Sequence, residues 1–284
     1  MEDYRSEFRV EKMCKVMNVS RSGFYKWQVS LPSEQERRKA KIVERILYHY
    51  HDTDQRYGSP KITQMLWKEN IQISERTVFK YMKELGLRSC TSRKFKVQTT
   101  DSNHDLPIAP NLLNRQFKVL KPNKVWVADI TYIPCREGRL YLASVMDLCT
   151  REIVGWKLYD RMTKELVIDA LEAAYKAKKP KKKLMHHSDR GSQYASHEYR
   201  GKLKTYGMRM SMSRKGNCYD NACIESFHSI LKKELIYCTK FKTKQQAYDA
   251  IFSYIEFFYN RKRIHSSIGY ISPVQFAAQF KRAA

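Results

Sequence analysis

Apolar positions in the N-terminal third of the chain recur at the spacing of amphipathic helices. Two stretches, 19–27 and 73–81, resemble each other, and each begins beside a serine that can cap a helix, Ser20 or Ser74. The helices predicted directly before the intervening turns span 8–17 and 61–68. Each pair therefore predicts a helix-turn-helix unit.

Basic side chains concentrate in the second of these units. Between residues 56 and 96 the sequence has ten Lys or Arg and three Glu. On the predicted recognition helix, Arg76, Lys80 and Lys83 can contact DNA phosphates and base edges. The second unit is therefore predicted to bind DNA. The alternative is a small helical packing domain that does not contact DNA.

After residue 120 the pattern changes to short aliphatic and aromatic runs separated by turn residues, as is typical of β-strands. The predicted strands span 125–133, 140–146, 153–159, 184–187 and 208–211, and the predicted helices span 163–176, 196–206, 220–235 and 244–260. The first three strands follow one another through short turns, which predicts an antiparallel meander. The order of elements predicts an α/β fold in which helices flank a mixed five-stranded sheet.

The hydrophobic period fades between about residues 88 and 120, where polar residues and two prolines accumulate, and this predicts a linker. The all-α region therefore precedes the α/β region. The expected domains are a helix-turn-helix-like segment (1–35), a helix-turn-helix DNA-binding domain (36–98), a linker (99–120) and an α/β core with C-terminal helices (121–284).

The charge of the chain indicates a polyanionic partner. The 54 Lys and Arg against 29 Asp and Glu give a net charge of +25 and a pI near 9.7. With predicted helix-turn-helix units, double-stranded DNA is the expected partner. There is no apolar run of 18 residues, and residues 1–10 are charged where a signal peptide would be apolar, so we expect a cytoplasmic protein with no membrane partner. The seven cysteines include no C-x-x-C pair, which argues against a zinc ribbon.

Three carboxylates stand out in the α/β region. Asp129 lies in the middle of an apolar predicted strand, where a buried carboxylate is costly without a cation. Asp189 directly follows the fourth predicted strand, and Glu225 lies inside a predicted helix. Together, the three could hold two divalent cations through oxygen ligands, leaving coordination positions for water and substrate phosphates.

The helix that carries Glu225 has a polar stripe formed by Asn221, Glu225, His228 and Lys232. Lys232 is placed to bind a DNA phosphate beside the metal, and Asn221 is expected to orient the helix or a ligand. Asp220 is a rival third carboxylate, but five helical residues separate it from Glu225, so the two cannot point the same way. We expect Asp220 to cap the helix instead.

Other residues near these carboxylates have weaker patterns. His187 is expected to support the site without binding metal, because histidine is a poor ligand for Mg²⁺. The segment 213–217, with Arg214 and Lys215, is expected to contact DNA or to be a plain connector. Six lysines lie between residues 176 and 183, which indicates either a solvated loop or a phosphate contact.

Several sequence blocks resemble the catalytic blocks of transposases of bacterial insertion sequence family 3, which are relatives of retroviral integrases. The similar blocks are Trp126-Val-Ala-Asp-Ile-Thr-Tyr132, His187-Ser-Asp-Arg-Gly-Ser-Gln-Tyr194, 213–227, 259–265 and 269–273. The N-terminal helix-turn-helix pair also resembles the second-frame product of that family.

The resemblance implies a ribonuclease H-like core and a DDE active site with two Mg²⁺ or Mn²⁺ ions, held by Asp129, Asp189 and Glu225. The implied activity is cleavage of one strand at the terminal inverted repeats and joining of the 3′-hydroxyl to target DNA. The implied partners are transposon ends and target DNA, further copies of the chain on DNA, and an upstream-frame product as partner or fusion, at the nucleoid. The alternatives are a DNA-binding transposition regulator without catalysis and a ribonuclease H-type nuclease.

Overall fold

The computed structural model describes residues 1–90 and 106–282. The chain divides into two compact units, Met1–Arg88 and Ser89–Ala284. The predicted segment 1–35 belongs to the same compact unit as the helices that follow it, and a domain boundary at residue 35 stays a prediction.

The first unit is helical. Its α-helices are α1 (Val10–Val16), α2 (Arg21–Val29), α3 (Glu34–Asp52), α4 (Ser59–Lys68) and α5 (Glu75–Glu84). The two predicted serine caps are confirmed, because the Ser20 hydroxyl accepts from the Gly23 amide at 3.0 Å and the Ser74 hydroxyl accepts from the Thr77 amide at 3.1 Å.

Helix α3 is not among the helices predicted from the hydrophobic pattern. It begins at a capping box, in which the Ser33 amide donates to Glu36 at 2.7 Å and the Glu36 amide donates to the Ser33 hydroxyl at 3.2 Å. It buries Ile42, Ile46 and Tyr50 on one face. The helix gives α4 and α5 an apolar surface to pack on, because α3 contacts both.

The second unit contains a mixed five-stranded sheet, as predicted. Its strands are β1 (Val125–Cys135), β2 (Gly138–Asp147), β3 (Ile153–Tyr159), β4 (Met185–Ser188) and β5 (Arg209–Met212). Their order is β3-β2-β1-β4-β5. The first three form the antiparallel meander, and β1–β4 and β4–β5 are parallel pairs.

The described part of this unit also contains six α-helices. They are α6 (Lys164–Lys178), α7 (Ser192–Ala195), α8 (His197–Thr205), α9 (Ala222–Leu231), α10 (Lys244–Phe252) and α11 (Pro273–Arg282). The predicted helix 220–235 is interrupted, since a 3-10 turn precedes α9 and a π-helical turn, Lys232–Ile236, follows it. The predicted helix 244–260 likewise ends in a π-helical stretch, Ser253–Tyr259.

The main core lies between the sheet and helices α6 to α8. Its buried members include Trp126, Val145, Leu166, Leu171, Tyr199 and Met212. Gly155 on β3 is the point of closest approach, because a Cβ there would lie 2.5 Å from the Ala170 carbonyl oxygen and the Ala174 amide of α6. A side chain at this position would push the helix away from the sheet.

The predicted linker, 99–120, is described only in its second part. Residues 99–105 lie outside the described residues, whereas the following segment is attached to the core unit. The amides of Leu112 and Leu113 donate to the Ser211 hydroxyl on β5 at 2.9 and 3.3 Å, and Leu113 is buried. In the described part of the chain no helix is both long and apolar enough to cross a membrane.

Candidate active site

Two of the candidate carboxylates lie at neighbouring strand positions. The parallel pairing of β1 with β4 places Ala128 beside Ser188. Asp129 is the next residue of β1 and Asp189 directly follows the end of β4, so both come after the last paired position of this ladder. The Asp189 carboxylate accepts a hydrogen bond from the Gly191 amide at 3.0 Å, which fixes its orientation.

The third carboxylate reaches this position from helix α9. The helix packs on β1 and β2, and its start is held by Asn221, whose side-chain amide donates to the Ala128 carbonyl at 3.0 Å. The Glu225 side chain reaches solvent, but the surrounding protein atoms partly exclude water from its carboxyl group. This partial burial is the main reason that its pKa is raised to about 7, and the charges of Asp129 and Asp189 contribute further. The three carboxylates therefore share one electrostatic environment.

His228 connects this helix to both central strands. Its Nδ1 lies 3.3 Å from the Asp129 carboxylate, and its Nε2 lies 3.3 Å from the Ser144 hydroxyl. Ser144 is the residue of β2 directly opposite Asp129. The hydrophobic pattern places His228 on the polar stripe but assigns it no partner. The sequence feature that could have identified His228 is its position one helical turn after Glu225, on the same side of the helix.

His187 is buried between two hydroxyl groups. Its Nδ1 lies 2.8 Å from the Ser211 hydroxyl and its Nε2 lies 3.2 Å from the Ser213 hydroxyl. Burial lowers its pKa to about 4, so the ring is neutral near pH 7. Both ring nitrogens contact protein groups, so His187 braces β4 against β5 and the loop after it.

Asp220 does not cap the catalytic helix, and that prediction is wrong. The residue at the helix N-terminus is Asn221, whose side chain makes no capping hydrogen bond. The Asp220 carboxylate is instead completely buried and accepts from the backbone amide, Nε and Nη2 of Arg214 at 3.0, 2.8 and 2.7 Å. It also accepts from Arg115 and Asn111, each at 2.9 Å. The Arg214 guanidinium, first among these partners, holds the pKa of Asp220 well below its usual value.

The basic residues predicted to contact DNA differ in their surroundings. Arg214 is bound to Asp220, whereas Lys215 on the same loop is exposed. In the first unit, α5 exposes Arg76, Lys80 and Lys83, with Lys80 lying 4.0 Å from Glu84. The face of α5 that carries these cations is therefore open to solvent.

Lys232 lies beside the carboxylates. Burial lowers the pKa of its ammonium group, and the nearby charge of Asp129 acts in the opposite direction. Its Nζ lies 4.7 Å from the ring centroid of Tyr132 on β1. Sequence periodicity predicts the side of the helix that carries Lys232, but not this contact with an aromatic ring.

The donor set suits a hard divalent cation. Among the described residues, the Tyr194 hydroxyl and the Asn221 Oδ1 are buried without a hydrogen-bond partner. Burial above all, and then the nearby Tyr199, Asp129 and Asp189, raise the pKa of Tyr194. Oxygen atoms of this kind bind Mg²⁺ or the water molecules around it. Among the described residues, no three His, Cys, Asp or Glu side chains already form a group that could hold a metal ion.

Comparison with known proteins gives matches over most of the chain. Residues 120–218 and 225–280 match two families described as integrase core domain, and residues 36–95 match a family described as HTH-like domain. The chain is 44% identical over 272 residues to the insertion element IS600 uncharacterized 31 kDa protein of Shigella sonnei, covering 96% of this chain and 100% of that protein. It is 40% identical over 279 residues to transposase InsF for insertion sequence IS3A of Escherichia coli (strain K12), covering 97% and 96%.

Among solved structures, the simian T-cell lymphotropic virus intasome in complex with PP2A regulatory subunit B56 gamma matches at a TM-score of 0.48 and 15% identity, over 82% of this chain and 74% of that chain. The HTLV-2 integrase catalytic core domain in complex with magnesium matches at a TM-score of 0.44 and 18% identity, over 56% and 99%.

Proposed function

Because this chain belongs to the family of transposases of insertion sequence IS3, we propose that Asp129, Asp189 and Glu225 are its catalytic carboxylates. The chain is a DDE transposase with an integrase core and an HTH-like domain. The observation that carries the residue assignment is the raised pKa of Glu225, because Asp129 and Asp189 both contribute to it.

The three carboxylates would hold two Mg²⁺ or Mn²⁺ ions. When bound, these ions supply the positive charge that activates a water or a DNA 3′-hydroxyl and stabilises the departing 3′ oxygen. The protein contributes orientation: His228 contacts Asp129, the Gly191 amide contacts Asp189, and Asn221 fixes the start of the helix that carries Glu225. Glu225 must release its proton to become a ligand; with a pKa near 7 it is about half ionised at neutral pH, and a bound cation would favour the ionised form.

Two groups of cations would bind DNA. In the core unit, Lys232 and Lys215 would contact phosphates near the scissile bond, while Arg214 acts through its ion pair with Asp220. In the first unit, the exposed cations of α5 would read the terminal inverted repeats. Cutting one strand and joining its 3′-hydroxyl to target DNA at both element ends requires more than one copy of the chain on DNA. An upstream-frame product is a further proposed partner, and the nucleoid the proposed location.

The test uses the purified chain and a labelled duplex of the element's own end, with Mg²⁺ or Mn²⁺. We expect strand cleavage and joined products from the wild type and neither from Asp189→Asn or Glu225→Gln. Glu172→Gln is the matched control, because this carboxylate pairs with Lys202 on the outer helices and should be dispensable. Binding without joining, even with the upstream-frame product added, would instead support a regulator. Hydrolysis without joining would support a nuclease.

A further inference from the structure

One aromatic ring on β1, that of Tyr132, lies close to two cations. The Lys232 Nζ is 4.7 Å from the Tyr132 ring centroid, and the Arg139 guanidinium carbon is 5.9 Å from it. Both distances are within the range of a cation–π interaction. Arg139 reaches the ring from β2, because Tyr132 pairs with Tyr141 and Arg139 is the diagonal neighbour on the same face. Tyr132 itself follows Asp129 on β1 by three residues.

The position of Lys232 is set by a change in the helix. Helix α9 ends at Leu231, and from Lys232 the chain widens into a π-helical turn in which the Tyr237 amide donates to the Lys232 carbonyl at 2.8 Å. Such turns are rare and occur frequently at functional sites. Lys232 lies seven residues after Glu225, so it occupies the same face roughly 10 Å further along the helix.

Other lysines of this unit are held by carboxylates. Lys202 hydrogen bonds to Glu172 at 2.6 Å, and Lys178 hydrogen bonds to Glu152 at 2.7 Å. Within 1–90 and 106–282, Lys232 has the charge of Asp129 nearby but no carboxylate at hydrogen-bond distance. A carboxylate would neutralise the ammonium group and occupy its donors. An aromatic face attracts the cation but leaves its charge and N–H donors available to an anion.

We propose that Tyr132 is a positioning residue whose ring holds Lys232, with Arg139 beside it, so that both cations contact the phosphate backbone of the DNA end next to the carboxylates. This inference rests on the proposed function, because it requires the DNA end to lie at those carboxylates. The hydroxyl group of Tyr132 does not contribute to this interaction, because the face of the ring attracts the cation.

The experiment measures binding of the full chain to a fluorescent duplex of the element's own end, by anisotropy at several NaCl concentrations and without divalent metal. The variants are Lys232→Gln, Tyr132→Leu, Tyr132→Phe and the double variant Tyr132→Leu with Lys232→Gln. Tyr175→Leu is the matched control, because it removes a ring that stacks on Tyr206. Melting temperatures establish that each variant is folded.

Lys232→Gln and Tyr132→Leu should each raise the Kd by roughly three- to tenfold. Each should also reduce the slope of log K against log salt by up to about one unit. Tyr132→Phe should restore binding towards the wild type, and the double variant should bind no more weakly than Lys232→Gln alone. Tyr175→Leu should leave the Kd unchanged. Equal loss in Tyr132→Phe and Tyr132→Leu, or losses that multiply in the double variant, would overturn the inference.

A second comparison removes the risk that Tyr132→Leu fails to fold. A fluorinated phenylalanine at position 132 keeps the shape of the ring but weakens its attraction for a cation, so its Kd should exceed that of Tyr132→Phe. The same Kd for both rings would contradict the inference. Because binding is measured without metal, a wild type that binds with this coupling but never cleaves or joins strands would refute the proposed function and leave the role of Tyr132 intact.

Discussion

Replacing Asp220 with asparagine removes the charge at the centre of the buried cluster in front of α9. The carboxylate is 0% exposed and accepts hydrogen bonds from Arg214, Arg115 and Asn111. An asparagine turns one acceptor oxygen into an NH₂ group that faces arginine donors. Loss of one partner of a buried ion pair costs about 3–5 kcal/mol. Since the arginines are 44% and 49% exposed, we expect the lower limit, about 3 kcal/mol.

For a unit of this size, that loss corresponds to a decrease in melting temperature of roughly 6–12 °C. The assay is thermal and urea unfolding of the full chain at pH 7 and at lower pH. The control is Glu198→Gln, whose exposed carboxylate pairs with Lys164 and should contribute little to stability because solvent screens the pair. If Asp220→Asn melts as close to the wild type as Glu198→Gln does, the cluster does not stabilise the core unit.

The pH dependence of this difference has a definite sign. The arginines lower the pKa of Asp220 in the folded protein below its usual value near 3.8. The unfolded chain therefore binds the proton more tightly, so the stabilisation is present above about pH 4 and decreases as the pH falls. The gap between wild type and Asp220→Asn should shrink below pH 4. A gap that stays constant down to pH 2 would show that the charge is not what stabilises the cluster.

Three further results are expected. Because the pKa of Glu225 is about 7, Mg²⁺ affinity measured by calorimetry should rise about fiftyfold from pH 5 to pH 7, and a flat profile would contradict the shared environment of the carboxylates. His228→Leu should raise the metal concentration needed for half-maximal strand joining by roughly tenfold, whereas Ser229→Ala, an exposed neighbour, should not. Gly155→Ala should destabilise the core unit by about 1–3 kcal/mol in urea unfolding, because its Cβ would lie 2.5 Å from the Ala170 carbonyl oxygen, and unchanged stability would show that α6 can move freely.

The strands, their order along the chain and the antiparallel meander could be predicted from the sequence because each strand is a short apolar run bounded by turn residues. The apolar setting of Asp129 also identifies it, since a carboxylate on a central strand needs a physical reason to be there. Asp129 and Asp189 lie close together because β1 and β4 pair in parallel. Local pattern and topology are therefore sufficient for the position of these two carboxylates.

The partners of Asp220 could not be predicted in this way. Its preference for a helix N-terminus is a local property, whereas Arg115 and Asn111 lie more than 100 residues earlier in a segment without hydrophobic periodicity. That segment is attached to the core by backbone hydrogen bonds to Ser211, which leave no trace in the pattern of side chains. Long-range polar contacts determine both the partners of Asp220 and the attachment of this segment to the core. A single sequence does not reveal such contacts.

The assembly of the catalytic carboxylates from separated elements affects the chain while it is being synthesised. Asp129 and Asp189 become neighbours only after β4 has paired with β1, and Glu225 joins them only when α9 packs on the sheet. The helices α4 and α5 are made much earlier and contact one another locally. A ribosome-bound chain thus completes the helices proposed to contact DNA before the proposed catalytic carboxylates come together. A product terminated between these points would carry the proposed DNA-binding helices without the proposed active site.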